Sequence, residues 1–214
     1  MCGVVGAYSK NGVKINKFKE LLKQARIRGL HACGIAYINN NKLVSKIITN
    51  SIDELELNNI NTNYIIGHTR YSTSNLKFNQ PIYDKNLAIV HNGVISQINP
   101  KEWKNIYKYN FTTENDSEIL LRDIQNNKHP LNRKGSIASI VLAINKNIEF
   151  YFFRNETRPL YYSFDEDLYI ASTKDILERS NIKNIIKTKS CIEYKLVNEK
   201  IQTNTIRKCE GDLQ

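Results

Sequence analysis

The chain opens Met1-Cys2-Gly3-Val4-Val5-Gly6-Ala7-Tyr8, a short β-branched strand with a cysteine one residue before it. Removal of Met1 would leave a thiol and a free α-amino group on the same residue. A free α-amino group titrates at about 7.7–8.0, so at neutral pH it can accept and return a proton as a general base must. A nucleophile and its base on one residue is one way to activate a thiol. By itself a Met-Cys start is a weak signal, and the segments downstream decide its weight.

Working outward, Asn11-Gly12 turns the first strand, and Ile15, Phe18, Leu21, Leu22 and Ala25 recur at helical spacing. This predicts an amphipathic helix over residues 14–28, with Gly29 as a left-handed cap. Strands are expected at 34–38 and 43–48, joined by Asn39-Asn40-Asn41, and at 63–68 and 87–91. A helical patch carries Trp103 after Pro100. Asp116 is expected to cap a helix running to about Asn126, with acidic residues in its first turn as the dipole prefers. A hairpin of 136–143 with 148–153 follows, then strands at 160–164 and 168–171, a helix at 174–180 and two late strands within 185–196. Short strands in hairpins with helices between them indicate an α+β layered domain. The 214 residues carry no repeat and no linker, and read as one domain over 1–214.

Bulk properties narrow the function classes. Hydrophobic residues make up 41% of the chain and no apolar run nears the ~20 residues of a membrane span. The start lacks the basic and apolar regions of a secretory signal, so a cytoplasmic location is expected. Cysteines 2, 33, 191 and 209 form no Cys-x-x-Cys pair and no zinc spacing. Reduced thiols are the expectation there, with Cys33 a small core residue and no metal implied. The net charge of +10 comes from lysines scattered among asparagines and isoleucines, without a dense basic run. That pattern follows AT-rich composition and argues against nucleic-acid binding beyond loose, salt-sensitive attraction.

Three polar segments each adjoin an apolar run: Gly67-His68-Thr69-Arg70-Tyr71-Ser72-Thr73, His91-Asn92-Gly93, and Asn115-Asp116-Ser117-Glu118. Together with Cys2-Gly3-Val4, Arg28-Gly29-Leu30-His31-Ala32-Cys33-Gly34 and Gln80-Pro81, they stand in the order of a known pattern. The chain resembles a class II glutamine amidotransferase, or N-terminal-nucleophile glutaminase, from residue 2 to about 175. Arg154-Asn155, Arg158-Pro159-Leu160 and Ala171-Ser172-Thr173-Lys174 resemble its later signatures. The resemblance implies a four-layer αββα sandwich. It implies that Cys2 forms a γ-glutamyl thioester while the Asn92 side-chain amide and the Gly93 N–H stabilise the oxyanion. Arg70 would take the carboxylate of L-glutamine and Asp116 its ammonium, with Tyr71 and Thr73 lining the pocket. Arg28 would support the nucleophile's strand. No cofactor is implied. Two departures stand out: His31-Ala32 replaces the family's Asp-Ser, and the loop after Tyr71 lacks the usual His-Gly or Ala-Gly.

Each residue also has a plainer reading. Asn-Gly between apolar runs is a strong hairpin-turn signal, Arg70 alone reads as a surface cation and Asp116 as a helix cap, and His68 and His91 read as structural histidines without catalytic roles. The expected function is a glutaminase component that passes ammonia to a separate synthetase, compatible with modified-nucleotide synthesis, because no synthase domain is recognised in the chain. The alternatives are a stand-alone γ-glutamyl amide hydrolase and a catalytically silent regulatory or nucleic-acid-binding subunit.

Overall fold

The computed structural model describes residues 2–49, 52–71 and 77–206. Thirteen strands form two antiparallel sheets among the described residues. The first sheet contains β1 (Gly3–Tyr8), β2 (Ala32–Asn39), β3 (Lys42–Ile48), β4 (Tyr64–Arg70), β9 (Tyr161–Phe164), β10 (Leu168–Ala171) and β11 (Ile186–Lys187), in the spatial order β11-β9-β10-β1-β4-β2-β3. The second contains β5 (Ile82–Tyr83), β6 (Leu87–Val94), β7 (Ser136–Ile144), β8 (Ile148–Arg154), β12 (Ile192–Val197) and β13 (Lys200–Thr205), in the order β13-β12-β8-β7-β6-β5. Helices α1 (Ile15–Ala25) and α4 (Lys174–Arg179) cover the outer face of the first sheet. Helices α2 (Pro100–Tyr107) and α3 (Ser117–Gln125) cover the outer face of the second.

Strand alternation sends successive side chains to opposite faces, and it divides the apolar residues among three cores. Val5, Ala7, Ile35 and Ile65 pack under Phe18, Leu21 and Leu22 of α1. Val4, Ile66, Val90, Ile140, Phe150 and Phe152 fill the space between the sheets. Ile89, Val141 and Phe153 pack under Trp103, Ile119 and Leu120. Three cores separated by two sheets give the four-layer αββα sandwich, as expected.

Several local readings hold and others change. Asn40 and Asn41 adopt φ of 48° and 57° at the β2–β3 hairpin, as its turn requires. Helix α1 ends at Ala25 and a single 3₁₀ turn, Arg26–Arg28, follows it. Gly29 has an extended φ of −174°, so it is no left-handed cap. Its glycine identity comes instead from crowding, because a Cβ there would lie 2.2 Å from the Arg70 carbonyl carbon and 2.4 Å from the Tyr71 nitrogen. Asn92-Gly93 lies inside β6 and makes no turn. Strands β5 and β13 had no sequence signal. Cys33 is buried as expected, and burial pushes its thiol up to about 11. Among the described residues Cys2 and Cys33 are free thiols. None of the described helices is long and apolar enough to cross a membrane.

Phe152 is fully buried between the sheets and stacks on Tyr194 with ring centroids 5.2 Å apart. Phe152→Ala is expected to lower stability by about 3–5 kcal/mol through lost contact and a residual cavity, measured by urea unfolding.

Candidate active site

The site lies at one end of the sandwich, where the start of β1, the ends of β4 and β6 and the start of α3 meet. A cavity of about 510 Å³ opens there, bordered by Cys2, Arg70, Tyr71, Gly93, Asp116 and Trp103 among others. Cys2 precedes the first residue of β1, a strand hydrogen-bonded on both sides to β4 and β10. Arg28 Nε donates to the Cys2 carbonyl at 3.1 Å, so the nucleophile candidate is held from behind by the turn that ends α1.

Gly93 is fixed by contact as well as by dihedral angle. Its φ is 157°, and a Cβ would stand 1.7 Å from the Ser136 carbonyl oxygen and 2.6 Å from His91 Nε2. Two side chains lock the strand around it. Gln80 Oε1 accepts from the His91 N–H at 2.6 Å while Gln80 Nε2 donates to the His91 carbonyl at 3.0 Å. His91 is therefore turned away from β7. Since backbone groups alternate sides along a strand, the Gly93 N–H also faces away from β7, and Gly93 lines the cavity. The His91 ring spans Ser117 Oγ at 2.9 Å and the Ser136 carbonyl at 3.0 Å, tying β6 to α3. Burial pushes its pKa down. Asn92 shares the inter-sheet face with Val90; it is buried and its Nδ2 has no hydrogen-bond partner among the described residues. An unsatisfied buried amide is expensive unless a ligand completes it.

Arg70 and Asp116 border the same cavity. Arg70 Nη1 donates to Asn79 Oδ1 at 2.8 Å and to the Phe78 carbonyl. Burial pulls the guanidinium pKa down, while nearby Cys2 and Asp116 favour its charge. Asp116 sits at the N-cap position of α3 in a helical conformation and makes no cap bond with its side chain. Asn115 Oδ1 accepts from the Ser117 N–H at 3.1 Å instead, so the capping role expected for Asp116 belongs to its neighbour. Asp116 Oδ2 accepts from the N–H groups of Ile95 at 2.6 Å and Ser96 at 3.2 Å, and Oδ1 has no hydrogen-bond partner among the described residues. Tyr71 is 54% exposed at the mouth, its ring 5.1 Å from that of His31, the residue that departs from the family pattern. Thr73 lies outside the described residues.

Other residues at the site had little or no sequence signal. Asn115 Nδ2 donates to the Phe78 carbonyl, the same acceptor that Arg70 uses. Trp103 Nε1 donates to the Ile98 carbonyl at 2.9 Å and fixes the loop after β6. In the sequence Gln80 stood out only through its Gln-Pro dipeptide, Asn115 only as the first residue of Asn115-Asp116-Ser117-Glu118, and Trp103 only as part of a helical patch. Among the described residues no group of three or more His, Cys, Asp and Glu is placed to hold a metal ion.

Residues 68–179 match a family model described as a glutamine amidotransferase domain. The chain belongs to that family. It is 32% identical over 158 residues to glutamine–fructose-6-phosphate aminotransferase (isomerizing) of Buchnera aphidicola, covering 67% of this chain and 25% of that one. It is 30% identical over 134 residues to amidophosphoribosyltransferase of Methanothermobacter thermautotrophicus, covering 56% and 28%. Among solved structures, glutamine phosphoribosylpyrophosphate amidotransferase of B. subtilis, complexed with ADP and GMP, superposes with a TM-score of 0.79 at 20% identity, covering 95% of this chain and 49% of that chain. A glutamine aminotransferase class-II domain protein from Silicibacter pomeroyi superposes at 0.60 with 9% identity, covering 95% and 99%. These likenesses establish the fold of the class II glutamine amidotransferase domain. The chain spans only about a quarter of the length of the curated relatives it matches.

The loop that brings Asn115 and Asp116 to the cavity hangs on Glu118, whose side chain is 1% exposed. Burial would raise its pKa, but bonds from the Thr112 N–H, Thr113 and Arg122 outweigh burial and hold it below the usual range. A depressed folded-state pKa gives stability that is complete above the unfolded value of about 4.3 and is lost as pH falls through the folded value. Glu118→Gln is therefore expected to cost about 2–3 kcal/mol at pH 7, with the gap to wild type closing below about pH 4. Urea unfolding at pH 7 and pH 3 measures both.

Proposed function

We propose that this domain hydrolyses L-glutamine to glutamate and ammonia through a thioester on Cys2, and passes the ammonia to an acceptor domain or subunit. One arrangement carries the reading: Cys2, Arg70, Gly93 and Asp116 border a single cavity, and next to Gly93 the Asn92 amide is buried with its Nδ2 unpartnered among the described residues. Free glutamine presents a carboxylate and an ammonium beside its amide. A guanidinium suits the first through its planar fork. The Asp116 carboxylate oxygen that has no partner among the described residues suits the second. With Met1 removed, the Cys2 thiol gives its proton to its own α-amine as the sulfur attacks the side-chain amide carbon, and the amine passes that proton to the departing nitrogen. The C–N bond breaks, ammonia leaves, and water then cleaves the thioester. Asn92 and Gly93 donate to the oxygen that becomes negative in both steps. The relatives' greater length is consistent with an acceptor domain outside the region matched here.

In protein whose mass confirms loss of Met1, ammonia release from glutamine is expected, together with its disappearance in Cys2→Ala. Asn92→Ala is expected to lower kcat by about 10²–10³-fold. Glutamine turnover that survives Cys2→Ala would sink the reading. Correctly processed protein without turnover or adduct, but with salt-dependent DNA binding, would favour the silent-subunit alternative.

A further inference from the structure

His68 is the buried polar group at this site for which the reaction so far has no use. Its ring is buried and borders the cavity, yet neither nitrogen has a hydrogen-bond partner among the described residues. Burial pushes its pKa down to about 3, so the ring is neutral at physiological pH. The His91 carbonyl lies near enough to favour a ring N–H turned towards it, although that carbonyl already accepts from Gln80. A neutral imidazole has one N–H and one lone pair. With the N–H on the His91 side, the lone pair is an acceptor lacking a donor.

Register places the ring relative to Cys2. Val4 is paired with His68 and Gly3 with Thr69, so Cys2 stands one step further along, beside Arg70. Alternation puts Cys2, Val4, His68 and Arg70 on the inter-sheet face, with His68 diagonal to Cys2. Diagonal neighbours on adjacent strands are roughly 7–8 Å apart between backbones, a separation that one water can bridge. Buried polar groups without protein partners are the usual seats of such waters.

We propose that His68 holds the water that hydrolyses the Cys2 thioester, an assignment that rests on the glutaminase reading. The His68 lone pair accepts one water hydrogen and aims the oxygen at the thioester carbonyl carbon. The new C–O bond forms as the water's other proton passes to the Cys2 α-amine. The C–S bond then breaks and the sulfur recovers that proton. No proton resides on His68 at any stage, as suits a ring that stays neutral. Departure of ammonia clears the place for the water, so acylation does not need the imidazole.

The test separates the two half-reactions. In His68→Val, acylation is expected to persist while deacylation slows by tenfold or more. The γ-glutamyl adduct should then accumulate on Cys2 by intact mass after glutamine is added. Because release of ammonia commits the acylation step, kcat and KM should fall together with kcat/KM unchanged, which a general loosening of the site would not produce. His68→Asn, which keeps a hydrogen-bonding group and guards against misfolding of the valine variant, should recover part of kcat. A fall in kcat/KM without adduct in either folded variant, or wild-type kinetics in both, overturns the assignment. Wild-type protein that forms neither adduct nor ammonia overturns the glutaminase reading itself.

Discussion

The site depends on a single close approach, that of the Ser136 carbonyl oxygen to the α-carbon of Gly93, which leaves no room for a side chain. Two packed sheets make that approach possible, and three groups hold it. Gln80 grips the His91 backbone from one edge, the His91 ring ties Ser136 to Ser117, and Ser136 Oγ accepts from the Val94 N–H at 2.9 Å. The same clamp sets the direction of the Gly93 N–H and the seat of the Asn92 amide. In the proposed reaction, preorganisation of this kind means that the two donors need not reorient as charge develops, and that is where such donors gain their effect.

The clamp has an energetic counterpart. Asn92 Nδ2 and both His68 nitrogens are buried without partners, and each such group costs about 1–3 kcal/mol. The three apolar cores supply the stability that keeps these groups in place. Polar atoms waiting at the open end of an otherwise apolar inter-sheet layer are what distinguish this end of the sandwich, because the rest of that layer is filled by residues such as Ile66, Val90 and Phe152.

Much of the fold was legible because both periods were clear. Alternation in β1, β4 and β6 and the helical spacing of Phe18, Leu21 and Leu22 survive directly in the cores. The four-layer arrangement itself came from the resemblance of short motifs, since pattern alone gives only α+β. Some details were hidden for physical reasons. Gly29 looked like a cap because its need is steric and arises from Arg70 and Tyr71, far along the chain. Asn92-Gly93 carried a turn signal, and only the strand partners of β6 cancel it. Asp116 occupies a capping position while its carboxylate serves Ile95 and Ser96, and the segment that holds Asn115 gave no hint of its bond to the distant Phe78 carbonyl.

Strand β1 is the spine of its sheet, yet one of its two neighbours is supplied from near the far end of the chain, with Val5 opposite Ala171. During synthesis the first strand therefore emerges long before the sheet can close around it. Its apolar faces and one row of backbone groups stay open until β10 has left the ribosome. Loop closure on this scale makes for slow, late-committing folding. A nascent chain stalled short of β10 would carry an unprotected strand edge beside Cys2, the sort of surface that invites pairing with another molecule.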